Sequence, residues 1–178
     1  MKILFITEFF PTGKDLKFSG GVEARTYFVA KHLAIKHEVT VICTRQKNTK
    51  VNEVIDGINI KRVGPELTYN AGSGKGINLV SLLNFIRAAI KEGIRLEYDV
   101  VDGGNFIAHF IAKQISLSKK IPVVFWYPDV FIGQWIKSSG LGGILGYILE
   151  KINLIRNVDR FIAISKITRN KLIKNSIE

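Results

Sequence analysis

Short runs rich in β-branched and aromatic residues alternate along this chain with segments whose apolar residues recur every three or four positions, and that alternation leaves few folds open. Residues 2–7, 38–43, 98–102, 121–126 and 159–164 each read as one strand. Helical spacing fills 22–35, with Val22, Thr26, Val29, Ala30 and Leu33 as its expected inward face. It returns at 77–94 and 105–116, and again in the stripe Leu141, Ile144, Leu145, Ile148, Leu149, Ile152 and Ile155. Consecutive strands separated by helices pair in parallel through right-handed crossovers, so the expected architecture is a doubly wound α/β layer with a mostly parallel sheet. One excursion interrupts it, a hairpin over about residues 53–63, because Asp56-Gly57 between β-prone runs suits a two-residue turn with positive φ. Asn105 and Ser165 are placed to cap the helices that follow them. At 178 residues and 47% hydrophobic the chain can bury one sizeable core, so residues 1–178 are expected to form one domain.

Cysteine and charge narrow the setting. Cys43, the only cysteine, ends an apolar run, which implies a buried reduced thiol and a cytoplasmic location. Glu8, Lys14, Asp15 and Lys17 break any signal-peptide pattern, and Lys137, Glu150 and Lys151 break the most apolar region below the length of a membrane span. With 26 Lys+Arg against 15 Asp+Glu, the formal net charge is +11, a field that draws phosphates. The basic residues are scattered and lack a nucleic-acid module, so the expected anion is a phosphorylated metabolite or a membrane surface and not nucleic acid.

The loop behind the first strand carries the best candidate site. A buried strand is followed by Phe10-Pro11 and then by Ser19-Gly20-Gly21-Val22-Glu23 at a helix start, where glycines, expected here to use positive φ, let backbone N–H groups approach an anion. Because this unit opens an alternating α/β chain, the loop is expected at the carboxyl end of a central strand, where open sheets bind ligands. Glu23 is either part of that site or a first-turn carboxylate complementing the helix dipole. Other motifs fail. Residues 71–76 imitate a phosphate loop, but Tyr69 stands where a glycine is needed and Gly76 where a hydroxyl would bind Mg²⁺. No G-x-G-x-x-G follows the first strand, and His32, His37 and His109 have no metal spacing, so neither cofactor nor metal is expected.

Taken in order, Phe10-Pro11, Gly20-Gly21-Val22-Glu23, Leu33 with Glu38-Val39-Thr40-Val41, Tyr98-Asp99-Val100-Val101, Pro122-Val123-Val124 and Asp159-Arg160-Phe161-Ile162-Ala163-Ile164-Ser165 resemble the N-terminal half of a GT-B glycosyltransferase of the retaining family 4 type. The resemblance covers nearly the whole chain. It implies a Rossmann-like, acceptor-side domain facing a donor-binding C-terminal domain that this chain does not contain. The family's Glu-x7-Glu signature belongs to that second domain and has no counterpart here after Ser165. The implied activity is transfer of a hexose from a nucleoside-diphosphate sugar to a sugar or lipid-linked acceptor. A non-catalytic α/β domain binding an anionic metabolite is the alternative from another class.

The resemblance also implies site residues. Gly20 and Gly21 match the glycine loop that approaches the donor diphosphate and acceptor. Many relatives carry a histidine after the Asp-Val-Val strand, whereas this chain reads Asp102-Gly103-Gly104-Asn105; Asp102 or Asn105 is left to bind a sugar hydroxyl, the alternative for Asn105 being the helix cap. After the next strand, Trp126, Tyr127 and Asp129 suit a sugar or lipid-linked acceptor, or else pack beneath a loop. No catalytic residue is assigned. Peripheral contact with an anionic bilayer at the inner face of the membrane is the last expectation, through the basic face and the segment from Val130 to Leu149, with Phe131 to Trp135 as its exposed part; the alternative is that the stripe 141–155 faces the core.

Overall fold

The computed structural model describes residues 1–12, 16–18, 20–67, 79–155 and 158–175. Lys14, Asp15, Ser19, the segment 68–76 with its phosphate-loop imitation, Ile77 and Arg156 lie outside the described residues. Along the chain come β1 (Lys2–Ile6), α1 (Gly21–Leu33), β2 (Glu38–Arg45), β3 (Asn52–Ile55), β4 (Ile58–Glu66), α2 (Leu79–Arg95), β5 (Val100–Gly103) and α3 (Phe106–Lys119). They are followed by β6 (Val123–Tyr127), α4 (Trp135–Ser139), a 3-10 turn (Gly140–Gly142), α5 (Gly143–Ile155), β7 (Arg160–Ala163) and α6 (Lys166–Asn175).

The strands form one sheet in the order β3-β4-β2-β1-β5-β6-β7. Every neighbouring pair is parallel except β3 with β4. The expected doubly wound sheet and hairpin are both present. Asp56 and Gly57 hold φ of 49° and 79°, the left-handed pair that a two-residue hairpin turn needs. The Asp56 carboxylate is tied to α1, accepting from the Tyr27 hydroxyl and, at 3.0 Å, from Lys31 Nζ.

Period-2 alternation splits the core across the sheet. Ile3 and Phe5 of β1 join Val39, Val41, Cys43, Ile58 and Ile60 under α1. Leu4 and Ile6 join Val101, Phe125 and Tyr127 under α2, α3 and α5. Two helix faces differ from expectation. The buried face of α1 is Glu23, Thr26, Tyr27 and Ala30, with Val22, Val29 and Leu33 at its half-buried flanks, because Tyr27 packs inward against Phe10 while bonding Asp56. The buried face of α5 is Gly143, Glu150, Asn153 and Leu154, while Leu141, Ile144, Leu145, Ile148 and Ile155 lie outward. Five of the seven residues expected to face the core therefore lie outward, and the other two, Leu149 and Ile152, are half-buried. Phe131 and Trp135, the expected exposed pair, are partly covered by Phe106, at ring distances of 5.8 and 5.0 Å. No described helix is long and apolar enough to cross a membrane.

Candidate functional site

The order of pairing makes β1 the strand from which the chain moves both ways, to β2 through α1 and later to β5 on its other side. In open α/β sheets the crevice beyond the carboxyl ends of such strands is where ligands bind. A cavity of about 280 Å³ lies there, lined by Thr7, Glu8 and Phe9 after β1, Gly20 to Glu23 at the start of α1, Asn105 and Phe106 at the start of α3, and Pro128 after β6. A wider hollow of about 480 Å³ opens at the opposite edge of the sheet, between Lys2, Glu38 and Glu97, where helices end instead of beginning.

Gly20, Gly21, Glu23 and Asn105 thus come together around one cavity. Gly20 is extended, at φ −169°, and Gly21 is the first helical residue, so neither uses positive φ. A Cβ on Gly21 would meet nothing within 4 Å. The diglycine is therefore not demanded by backbone geometry; it keeps the helix start bare, where first-turn N–H groups such as those of Gly21 and Val22 have no acceptor in their own helix. Glu23 is buried in that first turn and lines the cavity. Asn105 caps α3, its Oδ1 accepting from Ala108 N at 3.1 Å, and its Nδ2 donates to Glu8 Oε2 at 2.9 Å across the cavity.

Glu8 is the site residue that sequence reasoning missed. Its backbone oxygen is pinned by Thr44, through N–H at 2.9 Å and Oγ1 at 2.6 Å, which aims the side chain over the carboxyl end of β1. Burial raises its carboxyl above the ordinary range, and the Asn105 hydrogen bond opposes that shift. A carboxyl so placed can accept from or donate to a ligand hydroxyl. Its position one step past the strand end was the available signal.

Four expected site residues lie elsewhere. Asp102 takes both guanidinium nitrogens of Arg25, at 2.8 and 3.0 Å, so its carboxylate is engaged in joining β5 to α1 and not offered to a sugar. Trp126 lies under the same guanidinium, 5.0 Å from the ring centre. Tyr127 points to the other face, packed on His109 at 4.4 Å and fully buried. Successive residues of a strand face opposite ways, so this aromatic pair cannot line one cleft. Asp129 Oδ1 accepts from Lys171 Nζ and from Val130 N–H, both at 2.7 Å, fastening the loop after β6 to α6.

Three other ionisable groups of the interior, His109, Arg62 and Cys43, serve packing. His109 stacks on Phe125 at 4.4 Å with Nε2 2.9 Å from the Trp126 oxygen, and burial lowers its pKa to about 3, so the ring is neutral. Arg62 is buried and reaches Glu53, Gln46 and the backbone oxygen of Pro11, each at 2.9 Å, holding the turn that leads toward the glycine loop. Cys43 is buried beside it, its thiol pushed up to about 12 by desolvation. Among the described residues no three His, Cys, Asp or Glu side chains are grouped to hold a metal ion.

The family description Glycosyltransferase Family 4 matches residues 19–177, from the glycine loop to the end of α6. The chain belongs to glycosyltransferase family 4. As a family 4 domain with this sheet order it is an N-terminal domain of the GT-B type. It is similar in fold to sucrose-phosphate synthase from Thermosynechococcus elongatus, with a TM-score of 0.71 at 14% identity over 99% of this chain and 45% of that one. It is also similar to Anabaena HepE in complex with UDP-glucose, with a TM-score of 0.62 at 15% identity over 100% of this chain and 41% of that one. The family 4 domain therefore spans less than half the length of either structure. No curated relative matches the chain. At the end of the Asp-Val-Val strand of this family 4 domain, Asp102 is paired with Arg25 and Asn105 with Glu8.

Proposed function

We propose that this domain is the acceptor-side half of a glycosyltransferase that moves a hexose from a nucleoside-diphosphate sugar to a sugar or lipid-linked acceptor with retention of configuration, working in the cytoplasm. The observation that carries the reading is the cavity at the switch point of a family 4 domain, where a bare helix start meets a half-buried, hydrogen-bonded carboxyl. In this reading Gly20 and Gly21 bring α1's first N–H groups to the donor diphosphate, a helix-dipole contribution of about 0.3–1 kcal/mol. Glu23 shapes the wall beneath them. Glu8 and Asn105 hold the acceptor hydroxyl, and attack proceeds on the face the diphosphate leaves, positioned electrostatically. The donor is held mainly by a second domain outside this chain, as the greater length of the similar structures suggests. Neither metal nor cofactor takes part. Membership of the family favours this reading over a non-catalytic anion-binding domain.

Calorimetric titration of the 178-residue chain with a panel of nucleoside-diphosphate sugars tests the division of labour. Weak binding without turnover is expected, and micromolar affinity with turnover would overturn it. In a protein carrying both domains, Gly21→Val should slow transfer strongly with an unchanged circular dichroism spectrum, since the space beyond Gly21 is open. Unchanged transfer in that variant would show the loop to be a connector.

A further inference from the structure

Strands β2 and β4 turn different chemistry to the two faces of the sheet. Toward α1 they present Val39, Val41, Ile58 and Ile60. Toward α2 the same stretch presents Thr40, Asn59 and Lys61, on the side where Ile42 joins the core. The register carries this polar face onto β3, since Asn59 lies opposite Thr40 on one side and Val54 on the other, and Lys61 lies opposite Asn52. Helix α2 packs on β4 and β2 but ends at Arg95, so the amino corner of the face is bordered by the turn Leu96-Glu97-Tyr98. The result is the hollow of about 480 Å³ at the edge of the sheet opposite the cavity.

Charge excludes one class of occupant. Every charged residue lining the hollow is paired: Lys2 with Glu38 at 4.0 Å, Lys61 with Glu92 at 2.9 Å, Glu53 with Arg62 at 2.8 Å, and Glu97 with Lys119. Arg95 adds a second cation to Glu92, at 3.4 Å. Beside Lys2, the Met1 amine and the Asp99 carboxylate add one charge of each sign, and Lys50, two residues before Asn52, lines a different hollow. In a chain of net +11 this region is close to neutral, and its lining offers no unpaired cation to a phosphate.

What remains uncommitted is neutral. The Asn52 and Asn59 side chains make no hydrogen bond among the described residues, and they stand at diagonal cross-strand positions about 7–8 Å apart. Each amide offers two donors and an acceptor. At the floor the Tyr98 hydroxyl is buried beside Thr40 with no hydrogen bond of ordinary geometry among the described residues, and burial pushes it up to about 12, so it is uncharged. Val54, 68% exposed, and Leu96 add apolar surface beside these groups. Amides next to an apolar patch match a sugar ring, which carries hydroxyls around its rim and C–H groups on its faces; a phosphate or a carboxylate would call for a free cation. We propose that the hollow at the amino edge of β1, β2 and β4 is a binding site for a neutral saccharide. It lies at the opposite end of these strands from the cavity, so a saccharide bound there is held and not transferred, and the binding stands without the transfer reaction.

The test is a titration of the 178-residue chain with maltose, lactose and cellobiose, read by the amide resonances in nitrogen-15 NMR, with inorganic phosphate as the anionic probe. At least one disaccharide is expected to shift the Asn52 and Asn59 side-chain amides and the Thr40 and Tyr98 backbone N–H, saturating in the millimolar range. The double change Asn52→Ala with Asn59→Ala should weaken that binding about tenfold or more. Asn52 is exposed and Asn59 half-buried, so thermal unfolding of the variant should match the parent. If the double variant unfolds earlier, Asn52→Ala alone carries the comparison, with an expected loss of about threefold. No shift with any of the three disaccharides, parent-like binding by the variants, or shifts confined to Gly20, Gly21 and Asn105 would each overturn the proposal. So would phosphate moving the resonances of the hollow as strongly as a disaccharide does, which would make it an anion site. Failure of the donor titrations would leave these resonances unaffected, so the two readings fail separately.

Discussion

Arg62 and Glu150 are both buried charges, and they sit toward opposite ends of the sheet. Arg62, in β4, is matched by the Glu53 carboxylate, the Gln46 amide and the backbone oxygen of Pro11, inside a layer where β2 is buried along nearly all its length. Glu150, in α5, has two N–H donors, and burial raises its carboxyl above the ordinary range. Beside it the outer helix face is apolar, and β7 at the sheet edge is largely exposed, with Ile162 and Ile164 uncovered. The comparison teaches that one buried charge closes a core while the other holds a hairpin in an orientation that the core does not need. The β1-β2-β4 end is complete within the described residues; the β6-β7 end offers surface.

The largest effect expected from this contrast is at Arg62. Arg62→Met leaves Glu53 and the Pro11 oxygen without their buried donor and should cost about 3–5 kcal/mol, or about 10 °C in Tm. A loss of well under 1 kcal/mol in urea unfolding would mean that the β1-β2-β4 end is not held by this residue. Arg25→Met should follow, at about 2–3 kcal/mol, because it strands Asp102 beneath α1 and removes the cation from the Trp126 ring. Since Asp102 does not line the cavity, the expected loss is in stability, and a loss of transfer in a protein that remains fully folded would return Asp102 to the site.

His109 supplies a smaller, pH-dependent effect. Its folded pKa lies below the unfolded value of about 6.5, so the unfolded chain binds the proton first; the stabilisation is complete above that value and is lost as pH falls toward 3, at up to about 1.4 kcal/mol per pH unit. Glu8 and Glu150, whose carboxyls burial raises, act in the opposite sense as they take up protons. The difference in urea midpoint between the parent and His109→Phe across this window isolates the histidine, and equal slopes would contradict its buried neutral state. The smallest effect belongs to the outward face. Leu145→Gln should change stability by about 0.5 kcal/mol or less, and a loss of 2 kcal/mol or so would show that α5 packs by that side after all.

What the residues determined alone are the features decided by near neighbours in the chain. The strand runs followed from period 2 and the helices from period 3.6. Asp56-Gly57 adopted the turn that its positive φ values allow, and Asn105 and Ser165 cap as expected, Ser165 Oγ accepting from Thr168 N at 3.1 Å. Their order then dictated a doubly wound sheet, which places the glycine loop at a carboxyl edge. Pairings between distant residues were not legible. Glu8 meets Asn105 across 97 positions and Arg25 meets Asp102 across 77, and no local pattern marks either partner. The direction of α5 was equally hidden, because an amphipathic period states that two faces differ and not which of them the fold will bury. Only the tertiary structure decided that, where Phe131, Trp135 and Phe106 supplied the hydrogen-bond partners that draw Glu150 and Asn153 inward.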